Sequence, residues 1–127
     1  MSSKRTILVV DDDQPILLLM ENLLREFGFS ARTASCGEDA IEAARQEIPA
    51  AILLDMNMPG MCGEDVIAEF RKDPSLAGVP VIILSGEKMS ESEVKAFDAY
   101  AAVQKPFELS ELIRIIRESV DASEVSS

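Results

Sequence analysis

The chain of 127 residues carries 12 Lys and Arg against 23 Asp and Glu, a formal charge of −11, and contains no histidine. Its length suits one domain with a buried core, and 47% hydrophobic with 28% charged residues sets it apart from a disordered chain. The acidic balance argues against sequence-independent binding to nucleic acid or anionic membrane, which need a basic surface, and the lack of histidine excludes Ser-His-Asp and Cys-His catalysis and the usual zinc sites.

The polar start Met1 to Thr6 shows no targeting pattern, and no later run approaches the length of a membrane span. Cys36 and Cys62 stand apart without metal-ligand spacing and read as inert thiols. The expectation is a soluble, cytoplasmic protein. Ile7 to Val10 reads as a first strand, buried on both faces because the run is continuously apolar. Asp13 and Pro15 then open a helix whose apolar stripe is Ile16, Met20, Leu23, Leu24 and Phe27, ending at Gly28. Leu17 and Leu18 lie off that stripe, on a helix that adjoins the acidic pair, and are either exposed apolar side chains or part of a broad core face.

Phe29 to Ala34 is polar enough for an edge strand. Ser35 and Glu38 suggest a capping box for a helix through Glu47, which Pro49 terminates. Ala50 to Leu54 is a third strand, followed by Asp55-Met56-Asn57-Met58-Pro59-Gly60 and a helix from Glu64 to Arg71 carrying Val66, Ile67 and Phe70. Val79 to Leu84 is a fourth strand, and Ser90 with Glu93 a second capping box. Ala101 to Val103 is a weaker fifth strand, and the last helix carries Leu109, Leu112, Ile113, Ile116 and Val120 on one face. Ile115 lies off that face, and Asp121 to Ser127 reads as a frayed polar tail. Five strands alternating with five helices predict a doubly wound α/β domain with right-handed crossovers, and ligands then bind at the carboxyl ends of the strands.

Those ends carry the chemistry. Asp11, Asp12 and Asp13 follow the first strand, Asp55 the third, Ser85-Gly86-Glu87 the fourth and Gln104-Lys105-Pro106-Phe107 the fifth. Two carboxylates about 4 Å apart repel by roughly 4 kcal/mol at an effective dielectric near 20. A cation is therefore required, and hard oxygen ligands suit Mg²⁺. Met56, Met58 and Met61 read as loop packing, since thioethers are soft ligands. Lys105 and Ser85 offer an ammonium and a hydroxyl to a second anion such as a phosphoryl group, toward which an aspartate is a competent nucleophile.

With ILVVDDDQP, LLDMNMPG, VIILSG and QKPF in this order, the chain from about Arg5 to Val120 resembles the receiver domain of bacterial two-component response regulators. The resemblance implies a flavodoxin-like five-stranded parallel sheet of order 2-1-3-4-5 with five flanking helices. It implies Asp55 as acceptor of a phosphoryl group from the phosphohistidine of a sensor histidine kinase or histidine phosphotransfer protein. Asp11, Asp12, Asp55 and the backbone carbonyl of Asn57 would bind Mg²⁺, Ser85 and Lys105 would contact the phosphoryl group, and the Lys105-Pro106 bond would be cis. Asp13 falls outside the metal set and reads as a helix cap.

Asn57 and Glu87 match the pair of chemotaxis-type single-domain regulators, which implies a short-lived phosphoaspartate. Two departures stand out: Ala102 replaces the usual Tyr or Phe three residues before the lysine, and Asp98 replaces a frequent glycine. Tyr100 is a partial substitute for the ring if the fifth strand extends that far, and otherwise an ordinary packed or surface residue. A stand-alone regulator or relay intermediate is expected, one receiver over residues 1–127 with its core at about 5–120, no output domain, an unknown downstream protein target, and a monomeric or weakly dimeric state. It would not be an enzyme beyond phosphorylating and dephosphorylating itself. Two rivals are a haloacid dehalogenase type phosphatase using Asp11 and Asp13, whose motif Pro15 breaks, and a receiver that no longer depends on phosphate, suggested by Ala102.

Overall fold

A computed structural model describes residues 5–56 and 63–125. The elements alternate as β1 (Thr6–Val10), α1 (Gln14–Glu26), β2 (Ser30–Ala34), α2 (Gly37–Gln46), β3 (Ala51–Asp55), α3 (Gly63–Lys72), β4 (Val81–Ser85), α4 (Glu91–Ala96), β5 (Ala101–Gln104) and α5 (Leu109–Val125). The strands form one parallel sheet in the order β2-β1-β3-β4-β5, the architecture expected from the alternating pattern and the family resemblance. No helix is long and apolar enough to cross a membrane among the described residues.

Strand periodicity divides the core into two layers. Leu8, Val10, Ile52, Leu54, Val81 and Ile83 face α2 and α3, where Ile41, Val66, Ile67 and Phe70 close the layer. Ile7, Val9, Leu53, Ile82, Leu84 and Val103 face α1 and α5, against Met20, Leu24, Leu112 and Ile116. Both faces of β1, β3 and β4 are thus dry, which is why those strands read as unbroken apolar runs.

Several local expectations shift. Asp13 caps α1, its carboxylate accepting from Ile16 N, but the buried stripe is Leu17, Met20 and Leu24. Ile16 and Leu23 are only partly covered and Phe27 is exposed. Leu17 therefore belongs to the core, while Leu18 is 60% exposed. The expected Ser35 capping box is absent; α2 begins after Cys36, an N-cap residue that makes no side-chain capping bond, with Glu38 and Asp39 in its first turn. The Ser90–Glu93 box of α4 is present in both directions. Helix α5 continues to Val125 through most of the expected tail, and its Leu109 is exposed while Ile115 packs on the core.

Asp98 adopts φ 56, a left-handed conformation that aspartate tolerates better than most residues. Arg71, whose role gave no signal in the sequence, holds it: the guanidinium donates to the carbonyls of Ala77, Val79 and Asp98 and lies 3.1 Å from the Asp98 carboxylate. Tyr100 precedes β5, and its N–H donates to Val81 O at the amino edge of the sheet. It lines a cavity with Arg71, Pro80 and Ser119 there, far from the strand ends that carry the acids, so it does not substitute for a ring at Ala102.

Candidate functional site

The register delivers the acids to one another. Val10 pairs with Leu54, so Asp11 and Asp55 stand side by side one step further along β1 and β3. Backbone bonds carry this alignment past the strand ends: Asp11 N donates to Ala34 O, Met56 N to Leu84 O, and Lys105 N to Ser85 O at 2.7 Å. Asp11, Asp12 and Asp55 each offer a carboxylate oxygen, and the three atoms lie within 4.8 Å of one another. Asp11 and Asp55 are buried and Asp12 is exposed.

Lys105 Nζ reaches into this cluster, 3.3 Å from Asp55 Oδ1 and 3.9 Å from Asp11 Oδ2. Its side chain is about one-third exposed, and the Lys105-Pro106 peptide bond is cis. Ser85 is buried, and its Oγ accepts from Glu87 N at 3.1 Å. Glu87 itself is exposed. Ala102 pairs with Ile83 and packs on the α2–α3 side of the core. Asn57, with its expected backbone ligand, lies outside the described residues, as do Met58, Met61 and Cys62.

Charge balance in the cluster is incomplete. Asp11 Oδ1 accepts from Asp13 N at 3.0 Å, but Asp11 Oδ2 is buried with no hydrogen-bond partner. Burial pushes the Asp11 carboxyl up to about 6, with the Asp55 charge adding to the rise and the Asp13 N–H and Lys105 opposing it. A buried carboxylate oxygen that accepts no hydrogen bond, its nearest ammonium 3.9 Å away, is costly. Three hard oxygen donors at this spacing, one of them orphaned, fit a divalent cation such as Mg²⁺.

The acids open into a cleft of about 500 Å³ whose outer wall is apolar: Ile16 and Leu19 of α1, and Phe107 and Leu109 beside Pro106. Sequence reasoning missed this wall. The Ile16–Leu19 spacing was the available signal, one helical turn on the face next to the acids. Asp13, whose carboxylate caps α1, also lines this cleft.

Comparison with known proteins agrees with this geometry. Residues 7–117 match the family described as response regulator receiver domain. The transcriptional regulatory protein PrrA of Mycobacterium tuberculosis is 37% identical over 113 residues, 87% of this chain and 48% of PrrA, so the chain spans about half the length of that relative. The chemotaxis protein CheY4 of Vibrio cholerae is similar with a TM-score of 0.86 at 27% identity, over 92% of this chain and 99% of that one. The receiver domain of the sensor histidine kinase PA1611 from Pseudomonas aeruginosa has a TM-score of 0.84 at 25% identity, over 94% of this chain and 99% of its own. That structure holds a magnesium ion in its active-site cleft.

Proposed function

This chain belongs to the response regulator receiver domain family, and from that premise we propose that it is a switch set by phosphorylation of Asp55. The observation that carries the reading is the position of the Asp55 carboxylate, buried at the end of β3 with the Lys105 ammonium 3.3 Å away and the orphaned oxygen of Asp11 beside it. The phosphoryl donor is the phosphohistidine of a sensor histidine kinase or histidine phosphotransfer protein. An Asp55 oxygen forms the new P–O bond as the P–N bond breaks. The electron pair stays on the donor imidazole nitrogen, which takes a proton from solvent.

Each side chain has a part in that step. Lys105 neutralises charge on a phosphoryl oxygen, and the Ser85 hydroxyl rotates to donate to another. Asp11 and Asp12, with Asp55, would hold Mg²⁺, and the bound ion supplies charge neutralisation for the transferring group. The chain acts on its own aspartate and is not an enzyme with external turnover. Glu87, two residues after Ser85, and Asn57 set a short phosphoaspartate lifetime. The output is a protein-binding surface on a cytoplasmic monomer or weak homodimer.

The deciding experiment is incubation with acetyl phosphate or phosphoramidate and Mg²⁺, followed by intact mass. An adduct of about 80 Da is expected on the native chain, and none on Asp55→Asn. No adduct, or an undiminished one in the variant, overturns the assignment.

A further inference from the structure

Gly63, the first residue of α3, lies against Met56, the residue that follows Asp55. A Cβ built on Gly63 would collide with Met56 Sδ and sit 3.3 Å from Met56 Cα and Cε. A Cβ at Gly28 or Gly78 would meet nothing within 4 Å. Gly63 is buried, and positive φ is confined to Gly28 and Asp98 among the described residues, so no backbone requirement explains a glycine here. Alanine is the better helix former at such a position. What the glycine provides is room.

Met56 uses that room. Its N–H donates to Leu84 O, which ties it to β4, and its side chain packs on the α2–α3 layer of the core. The residue next to the acceptor is thus held by the backbone of one strand and by the bare Cα of α3. We propose that Gly63 and Met56 are a positioning pair for phosphoryl transfer: the thioether seated on Gly63 fixes the end of β3 and so the aim of the Asp55 carboxylate at Lys105. This rests on the reading of Asp55 as the acceptor. Misplacing a reacting group by about 1 Å can cost roughly 100-fold in rate, so a crowded or emptied contact is enough to be read kinetically.

The pair is tested by volume exchange, with acetyl phosphate and saturating Mg²⁺ as the probe and the Asp55 adduct followed by intact mass over time. Gly63→Ala crowds the contact and is expected to slow phosphorylation about tenfold while the melting temperature stays within a few degrees. Met56→Ala empties the contact and is expected to slow it several-fold. In the double variant the new methyl occupies the space the thioether left, and the rate returns to within about threefold of native, a non-additivity that independent structural roles would not produce. A native rate in either single variant, or additive losses in the double, overturns the pair. If Gly63→Ala does not fold, Met56→Ala still decides, because a native rate there removes the thioether from the mechanism. A native chain that takes no phosphoryl group fails the acceptor reading and the pair together, whereas a phosphorylated native chain with indifferent variants fails the pair alone.

Discussion

Lys105 Nζ lies 3.3 Å from Asp55 Oδ1, an ion pair placed by a backbone bond from Lys105 N to Ser85 O. Lys105→Met keeps the aliphatic stem and removes the charge. Deleting one preorganised donor to a developing anion typically costs about 100- to 1,000-fold. Phosphorylation of Asp55 by acetyl phosphate should slow by that order, and a time course of the adduct against native checks it.

Asp11 gives the pH dependence. Its folded carboxyl sits near 6 against 3.8 in the unfolded chain, so the folded state binds the proton more tightly between those values. Metal-free stability should therefore fall as pH rises from about 4 through 6, and the whole cost is present once pH is well above 6. Asp11→Asn should be more stable than native at pH 8 in EDTA and should lose that advantage at pH 4. Mg²⁺ should stabilise the native chain at pH 8, by about 2.7 kcal/mol at 100 times its Kd, and the variant much less. Urea melts of both chains at the two pH values, with EDTA or Mg²⁺, check each of these outcomes.

Leu18 separates docking from chemistry. It is 60% exposed on α1, beside a small cavity lined by Gln14, Glu21 and Thr33 and apart from the acids. Leu18→Ser should leave the acetyl phosphate rate within about twofold, while transfer from a phosphohistidine protein falls tenfold or more, the scale of a lost apolar anchor. Equal effects on both donors would remove Leu18 from the docking surface.

Arg71 and Asp98 form a structural clasp at the opposite edge of the sheet. Arg71→Ala strips partners from three carbonyls and should cost about 2–3 kcal/mol. Asp98→Gly trades a strained left-handed φ for the loss of one ion pair, exposed on the aspartate side and partly buried on the arginine side, terms of similar size and opposite sign. Its melting temperature should stay close to native, whereas that of Arg71→Ala should drop by several degrees.

Much of this was legible locally. Unbroken apolar runs identified the buried strands, Asp13 and the Ser90–Glu93 box marked helix starts, and the motif order pointed to the sheet topology. Where local rules failed, tertiary packing outweighed them. Ser35 and Glu38 have the spacing of a capping box, yet α2 begins one residue later. In α1 apolar residues nearly encircle the helix, so the sequence leaves its rotation about the axis open; contact with the sheet selects Leu17 over Leu23 and Phe27.

The sequence by itself determined that acids, hydroxyl and ammonium share one edge, because parallel strands all end on the same side of a sheet and each functional residue lies within two positions of the end of an apolar run. Only the tertiary structure decided how those groups meet: which Asp11 oxygen is orphaned, how near Lys105 comes, that Arg71 clasps Asp98, and that Met56 rests on Gly63. Distances of this kind depend on register and on packing between segments far apart in the chain, and local periodicity carries no information about either.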